Sequence, residues 1–300
     1  MSSSNNEQRR LAAKRKLEKR LERQQQAARK RKLIIIGSSV AVVLIVAAGV
    51  TAFTVKKVSD DNEKARWAAC AFTPNDADPL ASLPPIEQVP AEQQAEYLKY
   101  KDELTAGMAN KRTTPMPGDK QLKSGVVDAL FTTNQGELPM TLDRKDAPCN
   151  VGAFETMIKA GYYNDTTCHR LTTEGIKVLQ CGDPTGTGAG GPGWQSPDEA
   201  PTTLAPAEGD TTGQSVVYPR GTIAVANSGQ ENTGASQFFM VIEDSTLAPS
   251  YSVIGTVDPA GLEVLDKVLA AGVAPGADGA AATDGKPVLP VEILTATVTS

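Results

Sequence analysis

Histidine is almost absent from this chain, and its scarcity excludes several kinds of catalytic site. The 300 residues contain one histidine, His169, and four cysteines, none of them in a Cys-x-x-Cys spacing. A zinc site needs clustered Cys or His ligands, and a Ser-His-Asp triad needs a histidine beside its serine. His169 directly precedes Arg170, so on a strand the two side chains point to opposite faces. We therefore expect no metal centre and no nucleophilic triad.

A nucleotide cofactor is not expected either. Residues 186–193 are rich in glycine, but no Gly-Lys-Ser/Thr follows them and no helix is predicted to begin there. The sequence predicts a groove-edge loop for this run, and a protein that works without a cofactor.

Positive charge is concentrated at the N-terminus. Residues 1–32 contain 12 Lys/Arg and 3 Asp/Glu, although the whole chain has a net charge of −5. The remainder is therefore acidic and gives no electrostatic basis for binding nucleic acid. We expect residues 1–32 to form a basic, largely helical cytoplasmic arm held near anionic lipid.

A long uncharged run follows this arm. Residues 33–55 contain no charged side chain and are dominated by Ile, Val, Leu and Ala, enough to cross a bilayer core of about 30 Å. Because the positive charge lies on the N-terminal side, residues 1–32 are predicted to be cytoplasmic and the acidic part extracytoplasmic. The prediction is a single-pass protein of the cell membrane. A cleaved signal peptide is the alternative.

The cysteines agree with export, since all four lie on the C-terminal side of the apolar run. They allow two disulfides and three connectivities. Cys168 and Cys181 lie on neighbouring predicted strands, which favours a direct bond. If Arg170 and Gln180 share a face, however, alternation places Cys168 on that face and Cys181 on the other. The alternation of side chains therefore argues against a Cys168–Cys181 bond, and the pairing of the four cysteines stays open.

The rest of the chain divides into a linker and a domain. Residues 56–120 are predicted to be an extracytoplasmic linker with a short helix from Pro90 to about Ala106. Turn residues 134–137 between two apolar runs predict a β-hairpin. Many short strands with only two helices predict an antiparallel barrel over residues 121–300. One predicted helix begins near Pro148 and ends before Gly161, and a second spans 262–271. Further strands are predicted at 167–171, 176–182, 221–227, 236–242, 251–257 and 291–298.

Five short motifs occur in order between residues 124 and 299. They are His169-Arg170, Gln180-Cys181-Gly182-Asp183, Gly188-Ala189-Gly190-Gly191, Ala224-Val225-Ala226-Asn227 and Ser236-Gln237-Phe238-Phe239. Together they resemble the cyclophilin family of peptidyl-prolyl cis-trans isomerases, and most of all its membrane-anchored actinobacterial members. The resemblance implies a mainly β fold, a closed eight-stranded antiparallel barrel capped by two helices. It also implies isomerisation of X-Pro bonds in exported or cell-envelope proteins, assisting their folding.

The resemblance also implies site residues. Arg170 would donate to the prolyl nitrogen, Gln180 would orient Arg170, and Phe239 would form the floor of the proline pocket. Asn227 is expected to act through its backbone, and Tyr251 stands where the family often has histidine. The expected substrate-binding residues are Lys177, Val178, Gly188, Ala226, Asn227, Gln237, Leu247 and Tyr251.

One departure from the family pattern supports an alternative function. The segment between Arg170 and Gln180 is longer than is common in the family, and alignment back from Gln180 puts Lys177 where an aromatic residue often walls the pocket. A lysine offers less apolar surface to a proline ring. The alternative is therefore a proline-peptide binding module or chaperone with little turnover.

Overall fold

The computed structural model describes residues 14–16, 18–32, 53, 56–276 and 279–299. The chain divides into two units, Met1–Lys64 and Ala65–Ser300. In the first unit, residues 18–32 are helical and exposed, as expected for the basic arm. The predicted membrane segment, residues 33–55, lies outside the described residues except for Phe53. Within the described part of the chain, no helix is both long enough and apolar enough to cross a bilayer.

The second unit is mainly β. Its helices are α1 (Gln94–Met108), α2 (Pro148–Lys159) and α3 (Pro259–Ala271), with short 3-10 turns at Ile86–Gln88 and Ala91–Gln93. The first strands are β1 (Trp67–Ala69), β2 (Thr73–Pro74), β3 (Lys120–Leu122), β4 (Val126–Thr133), β5 (Gly136–Asp143), β6 (Thr166–Thr167), β7 (Arg170–Thr172) and β8 (Lys177–Cys181). They are followed by β9 (Trp194–Gln195), β10 (Val216–Tyr218), β11 (Thr222–Val225), β12 (Phe238–Glu243), β13 (Ser245–Leu247), β14 (Val253–Val257), β15 (Asp284–Gly285) and β16 (Glu292–Thr299).

The predicted hairpin is formed by β4 and β5. Its ladder runs from Val126 opposite Asp143 to Thr133 opposite Gly136. Gly136 has a φ of 133°, a backbone conformation that favours glycine and closes the turn. Along both strands buried and less buried residues alternate, so one face of the hairpin packs into the core.

The main sheet is curled, and its hydrogen-bonded order is open. The order is β15-β7-β8-β12-β11-β14-β5-β4-β16-β6. β6 and β7 are consecutive in the chain and separated by Cys168 and His169, where regular pairing is interrupted. β6 at one end of the order is therefore joined by the chain, and not by a ladder, to β7, which is next to the other end. A curled ten-stranded sheet replaces the closed eight-stranded barrel that the resemblance implied, whereas the mainly β fold is confirmed.

The main core lies between the concave face of this sheet and the two helices α2 and α3. An aromatic cluster occupies its centre, where Phe154 and Phe238 meet edge to face at 5.1 Å between ring centroids. Phe131 stacks on Phe154, and Tyr163 packs against both. Each such pair is worth about 0.5–1.5 kcal/mol beyond its buried area, so this cluster holds β4, β12 and α2 together.

The cysteine pairing corrects the argument from alternation, because Cys168 and Cys181 are bonded to each other. Cys181 is fully buried and faces the core, as alternation along β8 requires. Cys168 lies in the interruption between β6 and β7, so the two-residue period of β7 does not extend back to it. Its side chain therefore turns into the core, where it is 3% exposed.

The predicted linker is packed against the domain from residue 65 onwards. A second disulfide joins Cys70 to Cys149 in α2. β1 pairs with β3, and β2 pairs with β9. Leu104 of α1 is fully buried. Residues 65–120 have the composition of a spacer but form part of the compact unit. We refer to them as the wrapping segment.

Candidate active site

Three of the predicted residues form one row across adjacent strands. Arg170 of β7 is the direct partner of Gln180 in β8, and Gln180 is the direct partner of Phe239 in β12. Directly opposite residues in a ladder share a face of the sheet. The register therefore brings Arg170, Gln180 and Phe239 together, while the next row turns Cys181 and Phe238 into the core.

Arg170 is held by a carboxylate that the sequence did not single out. Its Nε donates to Asp284 Oδ1 at 2.7 Å and its Nη2 to Asp284 Oδ2 at 2.6 Å, a bidentate pair. Its Nη1 donates to Gln180 Oε1 at 3.2 Å. Hydrogen bonding to Asp284 raises the pKa of Arg170, and hydrogen bonding to Arg170 lowers the pKa of Asp284. The guanidinium stays charged and its plane is set by two neighbours.

Gln180 connects Arg170 to a glycine-rich loop through hydrogen bonds. Its Nε2 donates to Gln237 Oε1 at 2.9 Å. Gln237 Nε2 in turn donates to the carbonyl oxygens of Gly188 and Gly190 at 2.8 and 3.0 Å. The predicted pair Gln180 and Gln237 therefore connects the guanidinium to the loop.

The loop itself is organised around one buried carboxylate. Asp183 is fully buried, and its Oδ2 accepts from the backbone N–H groups of Gly188 and Gly190 at 2.7 and 3.1 Å. Its Oδ1 accepts from the backbone N–H of Thr185 at 2.8 Å. These charge-assisted bonds give the groove-edge loop a defined conformation.

The guanidinium lies at the edge of a hollow of about 130 Å³, which we call the arginine hollow. Its floor is Phe239, which is 5% exposed. The ring of Tyr251 meets Phe239 edge to face, with 5.3 Å between ring centroids. The lining residues are Arg170, Ile176, Val178, Gln180, Ala226, Asn227, Phe239, Leu247 and Tyr251. One cation therefore borders a hollow whose other lining residues are uncharged and include apolar side chains.

A small second core supports this floor from behind. Phe239 packs there with Val178, Val241 and Tyr218. The Tyr218 hydroxyl donates to the carbonyl oxygen of Ala248 and accepts from the backbone N–H of Tyr251. Burial raises the pKa of Tyr218 to about 12. Tyr218 thus ties the segment that carries Tyr251 to the floor, a role for which no motif in the sequence gives a signal.

Most of the predicted substrate-binding residues border the arginine hollow. Val178, Ala226, Asn227, Leu247 and Tyr251 line it. The side chain of Asn227 is engaged, since its Nδ2 donates to the carbonyl oxygen of Ser250 at 3.0 Å. Its Oδ1 accepts from the backbone N–H of Gly229 at 3.0 Å, so both polar groups of this side chain have partners, and the predicted role of the Asn227 backbone stays a prediction.

Lys177 does not line this hollow, which corrects its predicted place in the wall. Its Nζ forms an ion pair with Glu243 at 2.5 Å. The two residues are opposite each other because the β8–β12 register shifts between Val241 and Glu243. The neighbouring Ile176 lines the hollow instead. The register shift is a tertiary feature that spacing along one strand does not reveal.

A second hollow of about 290 Å³ adjoins the first and contains the remaining predicted residues, Gly188 and Gln237. It shares Gln180, Ala226 and Asn227 with the arginine hollow. The two hollows are therefore neighbours, and we refer to them together as the groove.

The chemistry available to the arginine hollow is donation by a fixed cation beside apolar surface. A guanidinium carries five N–H donors. Asp284 and Gln180 use three of them, so two have no partner among the described residues. A preorganised donor of this kind stabilises charge that develops on a bound atom and needs no reorganisation to do so.

Comparison with known proteins identifies the family. The model of the family described as cyclophilin type peptidyl-prolyl cis-trans isomerase/CLD matches residues 129–298. A protein of Mycobacterium tuberculosis (strain CDC 1551 / Oshkosh) named "probable peptidyl-prolyl cis-trans isomerase B" is 41% identical over 218 residues, covering 72% of this chain and 67% of the relative. The protein of the same name from Mycobacterium leprae is 44% identical over 180 residues, covering 60% and 59%.

Solved structures include a cyclophilin type isomerase of Cryptosporidium parvum crystallised in the presence of the dipeptide Ala-Pro. It is 26% identical, has a TM-score of 0.44, and the alignment covers 58% of this chain and 99% of that one. The family match spans more than half of the chain, and the first relative is matched over two thirds of its length. This chain therefore belongs to the cyclophilin type of peptidyl-prolyl cis-trans isomerases.

Proposed function

We propose that this isomerase acts on X-Pro bonds of exported or cell-envelope proteins, assists their folding, and uses Arg170, Gln180 and Phe239 in the reaction. Rotation about a peptide bond meets a barrier of about 18–20 kcal/mol, because the nitrogen lone pair is delocalised into the carbonyl. Before proline the two isomers are nearly balanced, yet exchange takes tens to hundreds of seconds. The enzyme therefore has to weaken the delocalisation and hold the ring while the carbonyl turns.

Arg170 is the observation that supports this mechanism most. Its guanidinium borders the arginine hollow and keeps two N–H donors without partners among the described residues. Donation from Arg170 to the prolyl nitrogen localises the lone pair there. That interaction is stronger in the twisted state than in either planar isomer, and such a difference lowers the barrier.

The other residues of the hollow bind the substrate. Phe239, Val178 and Leu247 offer an apolar surface to the proline ring. Gln180 orients the guanidinium, and the backbone of Asn227 holds the peptide. Proline-containing polypeptides are the partners, and the reaction uses no cofactor and no metal.

The proposed location is outside the cytoplasm, with the chain held in the cell membrane by residues 33–55. Two disulfides, Cys70–Cys149 and Cys168–Cys181, support an oxidising compartment. The uncharged run and the basic residues before it support a single span with a cytoplasmic N-terminus.

Replacing Arg170 tests the mechanism. In the full chain, Arg170→Ala is expected to lower turnover of a proline peptide at least tenfold, because one charge-assisted donor is worth roughly 1.5–3 kcal/mol. Arg220→Ala is the matched control, since Arg220 has the same bidentate pairing with Asp266 but borders neither hollow. Unchanged turnover in folded Arg170→Ala would remove Arg170 from the reaction.

A reporter fused after Ser300 tests the location. We expect it to be active outside the cytoplasm and the protein to remain with the membrane after a high-salt wash. A soluble form that begins near Phe53 would show instead that the apolar run is a cleaved signal.

A further inference from the structure

The wrapping segment builds one wall of the second hollow. Asn75, Ala77 and Pro79 come from its first part, and Met108 and Lys111 from the end of α1 and the turn after it. The opposite wall is formed by residues 188–191 and the strand ends that border the arginine hollow. A peptide lying along the groove therefore meets the wrapping segment.

Several contacts hold this wall in place. The backbone N–H of Thr114 donates to the carbonyl oxygen of Pro192 at 3.0 Å, and Trp194 Nε1 donates to Thr114 Oγ1 at 3.1 Å. Arg112 Nη1 donates to the carbonyl oxygens of Tyr162 and Asn164. The Cys70–Cys149 bond anchors the start of the segment. Lys111 therefore lies between the end of α1 and Arg112, which are both held in place.

Helix α1 also touches the groove-edge loop without an intervening side chain. A Cβ added to Gly107 would lie 2.6 Å from the carbonyl oxygen of Thr185 and would overlap Thr187 Cγ2. Such distances leave no room for a methyl group. The absence of a side chain at Gly107 lets the end of α1 approach the loop, and it brings Lys111 to the edge of the groove.

Lys111 is the one charged side chain that lines the second hollow, among the residues that the structure describes. It is exposed. Three other lysines of this unit, Lys159, Lys177 and Lys286, have carboxylate partners, whereas no ion pair involves Lys111 within the described residues. The hollow is otherwise lined by uncharged polar, glycine and apolar residues. Its electrostatic preference therefore depends on this ammonium group.

We infer that the second hollow selects peptides with an acidic side chain near the proline, and that Lys111 determines this preference. The inference rests on the proposal that the arginine hollow binds the proline. An extended peptide advances about 3.3–3.6 Å per residue, so a residue a few positions from a proline in the arginine hollow reaches the adjoining one. There a Glu or Asp carboxylate meets Lys111, and no acidic side chain is among the described residues that line the hollow.

The test compares isomerisation of short, capped peptides with a central Ala-Pro bond by the full chain. One position at a time, on either side of the proline, carries Glu, Gln or Lys. For wild type we expect turnover efficiency at one or two positions to be about two- to fivefold higher with Glu than with Gln, the range of an exposed ion pair. Added salt should reduce this ratio, because it screens exposed charges.

Variants assign the effect to one residue. Lys111→Met keeps the length of the side chain and should bring the Glu-to-Gln ratio close to one, while Lys111→Glu should favour the Lys peptide. Lys99→Met is the matched control, since Lys99 is an exposed lysine of α1 that does not line the hollow. It removes the same charge and should keep the wild-type ratio.

The outcomes separate this inference from the proposed function. Turnover of the Gln peptides by wild type with no preference for Glu at any position would overturn the inference and leave the isomerase intact. Equal loss of the ratio in Lys99→Met and Lys111→Met would also overturn it, because net charge would then be the cause. Absence of turnover with every peptide would contradict the proposed function itself.

Discussion

The two hollows of the groove differ in origin although they share Gln180, Ala226 and Asn227. The arginine hollow is built by strands of the family-matched region and holds its cation in a bidentate pair with Asp284. The second hollow takes one wall from the wrapping segment and has a lysine without an ion-pair partner in the described residues. A cation held in one orientation suits a reaction that needs a hydrogen bond donated in a fixed direction. A cation without a partner suits the selection of peptides by their charge. We therefore propose that chemistry and selection belong to separate parts of one groove.

Removal of the Cys70–Cys149 bond is expected to have the largest effect and to affect the two hollows differently. Its removal in Cys70→Ser/Cys149→Ser should lower the free energy of unfolding by about 4 kcal/mol, because the bond closes a loop of 79 residues. The freed wrapping segment should also lose its preference for Glu peptides. Turnover of Gln peptides should persist, since the row of Arg170, Gln180 and Phe239 contains no residue of that segment.

Denaturant unfolding and the peptide series measure both effects in the same preparation. Loss of the Glu preference together with most of the Gln-peptide turnover would contradict the separation of the two hollows. A preserved preference in the destabilised variant would show that the segment does not need its covalent anchor.

A smaller effect is expected from Asp284→Asn. Asparagine keeps one acceptor but loses the charge and the second strong bond, so Arg170 becomes less well oriented. We expect kcat to fall about three- to tenfold, with a smaller change in KM, because orientation matters most in the twisted state. The matched control is Asp266→Asn, which removes the equivalent partner of Arg220.

The same pair sets an expectation for pH. Hydrogen bonding to Arg170 lowers the pKa of Asp284 below its ordinary value of 3.8. The carboxylate is therefore charged at all pH values above 3.8, and the pair is lost only as the pH falls through the lowered pKa. Protonation of Asp284 should therefore not affect wild-type turnover near neutral pH.

For the Asp284→Asn variant, a rise in KM alone would contradict a role of Asp284 in orienting Arg170.

The smallest effect is expected at Lys177. Because Lys177 pairs with Glu243 and Ile176 occupies the wall, Lys177→Phe should leave peptide affinity and isomerisation rate unchanged. Ile176→Ala, at the adjacent position, should weaken binding through lost apolar contact. Titration and turnover measured side by side check both variants. Tighter peptide binding by Lys177→Phe would show that Lys177 is part of the pocket wall. It would also support the alternative of a binding module with little turnover.

The row of Arg170, Gln180 and Phe239 could be predicted from the sequence because these three residues lie on strands. Arg170, Gln180 and Phe239 come from contiguous motifs, and the two-residue period of a strand determines which of their neighbours share a face. The hairpin and the two helices were predicted for the same reason, since local pattern and turn chemistry specify them, although the second helix begins at Pro259 and not at the predicted Leu262. The family resemblance supplied their roles.

Other features depend on contacts that no local pattern contains. Asp284 follows a stretch rich in Gly and Ala with no periodicity, and it reaches Arg170 only through the pairing of β15 with β7. The Cys168–Cys181 bond depends on an interrupted strand, where alternation fails. The wrapping segment has the composition of a spacer, and its place is set by a disulfide, by short strands and by the bare backbone at Gly107.

The division of the groove is tested most directly by peptide binding to Arg170→Ala. Arg170 is itself a cation, so it is the rival source of any preference for acidic peptides. If selection depends on Lys111, titration of Arg170→Ala should show the same Glu-to-Gln affinity ratio as wild type, although its turnover of both peptides falls at least tenfold. A ratio that drops to one in folded Arg170→Ala would show that a single cation performs both tasks, and would contradict the account.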